Sequence, residues 1–177
     1  MFRRSLTAAI VILTMAVPAI AQRSPEEFRK DRLQWEIFRE ILMLPYYGIF
    51  DNIGFEVGPK GTVTLVGQVV RPTLKSDAER TVKRIEGVEQ VINKIDVLPV
   101  SPNDDRIRLA VYRAIYRHEP LERYGLGANP PIHIIVKNGH VVLEGVVGSQ
   151  MDKQLAEMQA RGVSGTFSVK NNLSVEK

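Results

Sequence analysis

The sequence predicts an α+β protein of two consecutive domains, each with the order helix, strand, strand, helix, strand (αββαβ). The first observation is an internal repeat, because the segment Val63–Val69 (VTLVGQV) returns 78 residues later as Val141–Val147 (VVLEGVV). The second is that this offset continues without a gap, so that Asn93 matches Asn171 near the end of each copy. The third is that helical and strand-like apolar spacings follow each other in the same order in both copies. A repeat that keeps its register this long predicts two copies of one structural unit.

Each repeated segment contains a glycine inside a run of alternating apolar residues. Such a glycine is typical of a bulge or of close helix packing on a sheet, and the alternative is a ligand that approaches the backbone. Another glycine follows the second helix of each copy. We interpret these four positions as structural: Gly67, Gly87, Gly145 and Gly165.

The first 21 residues are predicted to be a signal peptide. A basic start precedes the apolar run Leu6–Val17, which is too short to span a bilayer, and Ala19–Ala21 has the small-x-small pattern of a cleavage site. We therefore expect a mature chain from Gln22 with no transmembrane segment, and an uncleaved anchor helix is the alternative. Arg3 and Arg4 leave twin-arginine export as an alternative to ordinary secretion.

The composition excludes several classes of protein. There is no cysteine, so neither disulfides nor a lipid-modified N-terminal cysteine is available, and the protein is not a lipoprotein. The net charge of +4 falls to +2 once Arg3 and Arg4 are removed. That balance is too mild to indicate a nucleic-acid partner.

The first domain is predicted to span residues 31–98, after a flexible polar lead-in at 22–30. Its first helix opens at Asp31 and ends before Pro45, with one apolar face formed by Leu33, Ile37, Ile41 and Leu44. Pro59–Gly61 reads as a three-residue hairpin loop, which places three cross-strand pairs on one face: Val57 with Val63, Phe55 with Leu65 and Ile53 with Gly67.

The second helix and third strand of the first domain follow Pro72. The helix has Thr73 or Ser76 as its candidate N-cap and an apolar face of Leu74, Ala78, Val82 and Ile85. It ends at Glu86-Gly87. The third strand then contains Val88, Val91, Ile95 and Val97.

The second domain is predicted to span residues 105–177, after a turn-rich linker at 99–104. Its first helix begins at Asp105 and has Ile107, Val111 and Ile115 on its core face. Asn138-Gly139 is a strong signal for a type I′ hairpin turn. That turn pairs Val136 with Val141 and Ile134 with Leu143.

The repeated motifs resemble the BON domain of bacterial envelope proteins. They are VTLVGQV with GVEQVINKIDV in the first copy, and VVLEGVV with GTFSVKNNLSV in the second, where Thr166 departs from the valine that the family prefers. The resemblance implies a three-stranded mixed sheet with two helices on one face. It also implies export to the periplasm, a link to envelope integrity and osmotic stress, and binding to phospholipid surfaces.

No catalytic constellation is found, so the protein is not expected to be an enzyme or to hold a cofactor. The sequence lacks a cysteine nucleophile, a Gly-x-Ser-x-Gly elbow, a His-Glu-x-x-His motif and a phosphate loop. Gly58–Gly61 matches the Gly-x-x-Gly of an RNA-binding KH domain in letters, but it turns a hairpin rather than joining helices. His133 and His140 offer too few ligands for a metal site, and we interpret them as solvated strand residues.

The first helix of the second domain carries a basic face. Arg106, Arg113 and Arg117 cluster there on a helical wheel, and Tyr112 and Tyr116 lie on the adjoining side. The segment 105–177 has ten basic and seven acidic residues, whereas 31–98 has nine and ten. Arginine pairs with lipid phosphate and tyrosine favours headgroup depth, so these five residues are candidate lipid or partner contacts. A solvated helix face is the alternative.

An apolar side stripe runs along the first helix of each domain. Trp35, Phe38 and Leu42 in the first copy match Leu109, Tyr112 and Tyr116 in the second at an offset of 74 residues. Because both copies have the stripe, Trp35, Phe38, Leu42 and Leu109 are predicted to make an interdomain or oligomer contact. The oligomeric state itself is left open.

Two functions from different classes follow. The first is a non-enzymatic periplasmic envelope-maintenance protein that binds an anionic phospholipid surface through the first helix of the second domain. The alternative is a structural, protein-binding or oligomerisation module of an envelope assembly, with no lipid ligand.

Overall fold

The computed structural model describes residues 25–127 and 129–176, and it has the predicted α+β architecture of two tandem domains. The predicted signal peptide and residues 22–24 lie outside the described residues. The first domain contains α1 (Pro25–Leu42), β1 (Asn52–Val57), β2 (Thr62–Val69), α2 (Pro72–Val82) and β3 (Gln90–Val97). The second contains α3 (Pro102–Tyr116), β4 (Ile132–Lys137), β5 (His140–Val147), α4 (Gln150–Arg161), β6 (Ser168–Asn171) and β7 (Ser174–Val175).

Both sheets are mixed, and their registers confirm the hairpin predictions. In the first domain β1 and β2 are antiparallel and β3 is parallel to β2, with Val57 opposite Val63 and Ile53 opposite Gly67. In the second domain β4 and β5 are antiparallel, with Val136 opposite Val141. The register follows because a slip of one residue would turn each buried row of side chains toward solvent.

Gly67 and Gly145 permit a close backbone approach within the sheets. Their φ angles are +123° and +120°. A Cβ atom on Gly67 would stand 2.0 Å from the carbonyl oxygen of Asn52, and one on Gly145 would stand 1.8 Å from that of Pro131. The close neighbour is therefore the backbone at the start of the adjacent strand rather than a helix, and only glycine fits.

The third strand of the second domain is interrupted. Where the first domain has the single strand β3, the second has β6 and β7, which both pair parallel to β5, so its sheet has four strands rather than three. The break falls at Asn172 and Leu173. There the Leu173 amide donates to the side-chain oxygen of Asn171 at 3.2 Å, and the Asn172 side chain donates to Glu144 at 2.7 Å.

The helices start earlier than predicted. α1 begins at Pro25 instead of Asp31, so most of the predicted flexible lead-in is helical. α3 begins at Pro102 instead of Asp105, and its N-cap is Ser101, whose hydroxyl accepts from the Asp104 amide at 3.2 Å. α2 begins at Pro72, so neither Thr73 nor Ser76 is its N-cap. In α2 and α3 a proline occupies the first turn, where its missing N–H costs nothing.

Each domain has its own hydrophobic core beneath two helices. In the first domain α1 and α2 cover one face of the sheet with fully buried residues, which include Ile37, Leu65, Leu74 and Ile95. In the second, α3 and α4 do the same with Ile107, Ile115, Ile134 and Leu143. These residues lie on the apolar faces that the periodicity predicts.

The two domains meet through the connector that follows α1. The amide of Ile134 on β4 donates to the carbonyl of Ile49 at 2.7 Å, and Ile49 and Phe50 pack against the core of the second domain. The rings of Tyr47 and His133 lie 5.6 Å apart between centroids. The connector of the first domain therefore covers the outer edge of the second sheet.

Candidate functional site

The N-terminal end of α3 is bound to the β4–β5 hairpin. The buried carboxylate of Asp104 accepts hydrogen bonds from the amides of Asn138 and Gly139, each at 2.8 Å. The buried guanidinium of Arg108 donates to the carbonyl of Val136 at 2.8 Å and pairs with Asp105. These contacts fix the direction of α3, and only the Asn-Gly turn among them has a signal in the sequence.

Tyr116 does not belong to the exposed face of α3. Its side chain is 6% exposed, and its hydroxyl donates to the carbonyl of Ile132 at 2.6 Å. Burial raises the pKa of Tyr116 above its ordinary value, even though the bond to Ile132 acts in the opposite direction. The prediction that Tyr116 contacts lipid or a partner is therefore wrong, because the chain after α3 folds back over this ring.

Tyr112 lies at the junction of the two domains. Its ring is 39% exposed and meets Phe50 edge to face, at 6.5 Å between centroids. It also lies 5.2 Å from the ring of Tyr116. Tyr112 therefore combines an exposed edge with a contact to the first domain.

Arg106, Arg113 and Arg117 are exposed on the outer side of α3. None of them takes part in an ion pair among the described residues, although Arg106 donates to the side-chain oxygen of Asn103 at 2.9 Å. Three guanidinium groups without carboxylate partners leave this side of the helix positive. It is suited to bind anionic groups such as phosphate.

α4 lies beside the arginine face and runs antiparallel to α3. Ala110 and Ala114 are half-buried, and their small side chains suit the packing of the two helices. The Arg106 guanidinium lies 3.0 Å from the place where a Cβ on Gly165 would stand, just beyond the C-terminal end of α4. The surface therefore extends from α3 across α4.

The start of α4 is tied to the segment that follows α3 by a buried acid that sequence reasoning missed. Asp152, in the first turn of α4, accepts from Arg123 at 2.6 Å, from Tyr124 at 2.9 Å and from Ser149 at 2.6 Å. Burial raises the pKa of Asp152, but these partners outweigh burial and hold the pKa below its ordinary value. The matching residue of the first domain is the core residue Leu74. That exchange of leucine for aspartate was the available signal.

The aromatic stripe of α1 is exposed. Trp35 and Phe38 are 63% and 53% exposed, and the Arg39 guanidinium lies 5.6 Å from the centroid of the Trp35 ring. Leu42 is half-buried, and Leu109 on α3 is 46% exposed. The two domains thus meet through the connector after α1 and not through Trp35 and Phe38.

The two histidines have different environments. His140 is exposed, and its Nδ1 lies 2.7 Å from the Ser168 hydroxyl. His133 is half-buried under Tyr47, and its Nδ1 has no hydrogen-bond partner, so the prediction of a solvated residue is wrong for His133. Burial lowers the pKa of His133 and raises that of the nearby Asp51. Residues 25–127 and 129–176 contain no group of three or more side chains able to hold a metal ion.

Comparison with protein families identifies the family of both domains. The family model described as "BON domain" matches residues 44–99 and 103–177. The chain belongs to the BON family. It is a tandem BON-domain protein, and BON domains are found in periplasmic and envelope proteins. The second BON match includes α3, whereas the first begins after α1.

The solved structures that match this chain are only distantly similar to it. The C-terminal domain of CdsD, a structural protein of the type III secretion system of Chlamydia trachomatis, is 14% identical over 82% of this chain and 98% of that chain, with a TM-score of 0.33. A second CdsD structure gives 14% identity over 82% and 92%, with a TM-score of 0.32. The search of curated proteins finds no match. Across the described part of the tandem BON protein, no helix has the length and apolar character needed to cross a membrane.

Proposed function

We propose that this tandem BON protein is a non-enzymatic periplasmic protein of envelope maintenance, whose second domain binds the anionic phospholipid surface of a membrane. The observation that carries the proposal is the arginine face of α3, formed by Arg106, Arg113 and Arg117. These side chains are exposed and have no carboxylate partner among the described ion pairs. Tyr112 lies on the adjoining side of α3 and is 39% exposed.

The expected affinity is modest and depends on salt. A basic residue held at an anionic membrane contributes about 1 kcal/mol, so three arginines contribute about 3 kcal/mol. Salt weakens the attraction between the arginines and the lipid phosphates, because the Debye length shortens as the ionic strength rises. The protein should therefore associate reversibly with membranes.

Sedimentation with phospholipid vesicles tests this function. The mature chain should sediment with phosphatidylglycerol vesicles at low salt, remain in solution at high salt, and remain in solution with phosphatidylcholine vesicles. The variant Arg113→Glu/Arg117→Glu should lose binding by about three orders of magnitude, because about 2 kcal/mol of attraction is removed and a similar repulsion is added.

The matched control for this test lies in the first domain. Lys83 and Arg84 are exposed and form no described ion pair, so Lys83→Glu/Arg84→Glu changes the net charge equally. This control should bind within a few-fold of the wild type. Equal binding by the α3 variant and the wild type would refute the proposed site.

A second function is supported by the exposed aromatic residues of α1. Trp35 and Phe38 each offer a large apolar surface, and burying an aromatic side chain removes about 150–250 Å² from water. Together with Leu42 and Leu109, they suit a contact with an envelope protein or a second copy of the chain.

Analytical ultracentrifugation tests the self-association form of this alternative. The wild type should form oligomers as its concentration rises, and Trp35→Ala/Phe38→Ala should remain monomeric, because the apolar contact is removed. Val100→Ala, at a linker residue that is 97% exposed, is the control and should behave as the wild type. A wild type that is monomeric at every concentration argues against self-association through this stripe.

A further inference from the structure

We propose that Met151, Met158 and Phe167 enter the lipid interface beside the arginine face, so that the second domain inserts apolar side chains as well as binding headgroups. This inference rests on the proposed lipid function and adds a second set of contacts to the same site. The three side chains are 69%, 56% and 76% exposed. Exposure of large apolar side chains to water is unfavourable, and their transfer to a membrane interface lowers the free energy.

Met151 and Met158 lie on α4, the helix that packs against α3. They are seven residues apart on α4, so they lie on one side of that helix, two turns apart. The core side of α4 carries Ala156 and Ala160, and its side toward β6 carries Glu157, which receives hydrogen bonds from Arg161 and Asn171. The methionines therefore occupy the outer side of α4, opposite its core side.

Phe167 lies at the end of the same surface. It follows α4 and stands where the α4–β6 loop meets the β4–β5 turn, with its ring 6.0 Å from that of His140. Two residues before it, Gly165 lies against the Arg106 guanidinium. Arg106 and Phe167 thus both lie where the N-terminal end of α3 meets the β4–β5 turn and the α4–β6 loop.

The first domain shows that these apolar residues are not required by the fold. At the 78-residue offset, Thr73 stands in place of Met151, Arg80 in place of Met158 and Glu89 in place of Phe167. Both domains have the same order of helices and strands apart from the divided third strand of the second, and the helices α2 and α4 bury core residues in both. The apolar residues are therefore particular to the domain whose first helix has the unpaired arginines.

The combination of charge and apolar surface indicates a bilayer as the occupant. Arginines without carboxylate partners match lipid phosphates, while flexible methionines and a phenylalanine suit the acyl boundary just below them. The only acidic side chain between the methionines that is not buried, Glu157, is already paired with Arg161. A protein partner is the competing occupant, and the experiment below distinguishes it.

Tryptophan fluorescence tests the insertion directly. Trp35 is the only tryptophan, so Trp35→Phe provides a silent background in which Met158→Trp or Phe167→Trp reports on one position. With phosphatidylglycerol vesicles, both probes should shift to shorter wavelength and be quenched by lipids brominated in their acyl chains. The matched probes Arg80→Trp and Glu89→Trp in the first domain should do neither.

The outcomes separate this inference from the function on which it rests. Vesicle sedimentation without a spectral shift at 158 and 167 overturns the insertion and leaves headgroup binding by the arginines intact. Absence of sedimentation overturns both. A shift that depends on protein concentration and not on vesicles assigns the surface to a protein contact and overturns the insertion.

Loss of the apolar residues gives a second measurement. The variant Met151→Gln/Met158→Gln/Phe167→Gln should partition about tenfold less onto phosphatidylglycerol vesicles, because three partly inserted side chains lose their transfer free energy. Its remaining binding should be as sensitive to salt as that of the wild type, since the arginines are unchanged. An unchanged partition contradicts the inference. Each substitution is at an exposed side chain, so the fold should be retained.

Discussion

At the scale of single residues, one asparagine ties helix to strand in each domain. The Asn93 side chain donates to the carbonyl of Lys75 at 2.9 Å and accepts from the amide of Ile95 at 3.1 Å. Asn171 makes the equivalent bonds to Lys153 at 2.8 Å and to Leu173. The match of Asn93 with Asn171 in sequence therefore reflects a shared backbone anchor, and its role is structural in both copies.

A glycine substitution tests the close backbone approach in the second sheet. Gly145→Ala should lower the free energy of unfolding by about 3 kcal/mol or more, because the Cβ meets the Pro131 carbonyl and φ is positive. Gly162→Ala is the control, since the nearest atom to a Cβ there is 3.6 Å away. Urea denaturation measures both variants. Equal stability of Gly145→Ala and Gly162→Ala would contradict the close approach.

At the scale of elements, α3 is held at both ends. Asp104 and Arg108 bind its first turns to the β4–β5 hairpin, and the Tyr116 hydroxyl binds its last turn to the start of β4. Buried polar bonds of this kind are costly to break, because each would leave an unsatisfied group. The helix is therefore a rigid support for the arginine face, which favours binding without reorganisation.

The packing of the connector after α1 against His133 makes the stability of the protein depend on pH. Burial under Tyr47 lowers the pKa of His133, so the unfolded chain binds more protons than the folded chain below the ordinary histidine pKa of about 6.5. The contribution of His133 is therefore present above that pH and lost as pH falls. Asp51 has a raised pKa and acts in the opposite direction. Tyr47 stays neutral, because its pKa is raised to about 12. Glu144 on β5 lies directly across from His133.

Thermal unfolding of a histidine variant isolates that contribution. Between about pH 7.5 and about pH 5, His133→Gln should lose less stability than the wild type, because glutamine does not titrate and Asp51 is common to both. His140→Gln, at an exposed position, should follow the wild type. An identical loss for His133→Gln and the wild type would show that burial of His133 has no such consequence.

At the scale of the whole molecule, the two domains share a fold but differ in surface. The first presents exposed aromatic residues on α1, and the second presents the arginine face of α3 beside exposed apolar residues on α4. The connector between α1 and β1 joins them by packing Phe50 against Tyr112 and the core of the second domain. This contact gives both surfaces a defined relation to each other.

Loosening that contact should be visible in solution. Phe50→Ala removes the aromatic contact with Tyr112, so small-angle scattering should show a larger radius of gyration while both domains keep their secondary structure. Trp35→Ala, on the exposed stripe, should leave the radius unchanged at concentrations where the chain is monomeric. A compact Phe50→Ala protein would mean that the remaining contacts between the domains, which include the Lys137–Asp96 ion pair at 2.9 Å, suffice for docking.

The repeat and the apolar periodicity were sufficient to predict the element order, the hairpin registers and the core faces. These features depend on the alternation of side chains along one element or between adjacent strands, which the sequence displays directly. The exposure of Arg113 and Arg117 also follows from a helical wheel, because the helical period alone separates the outer face of a helix from its core face. The starts of α1 and α3 were less visible, since their first turns bury few apolar residues.

Contacts between distant segments could not be predicted from the sequence and were evident only in the tertiary structure. Tyr116 has the spacing of an exposed stripe residue, yet the chain that follows α3 covers it and the Ile132 carbonyl accepts a hydrogen bond from its hydroxyl. Asp152 reads as a solvated acid in a helix, yet Arg123, Tyr124 and Ser149 enclose it. The reason is physical. Periodicity reports which side of an element faces the core, whereas the partner of a polar group depends on which remote atoms the fold brings within hydrogen-bond distance.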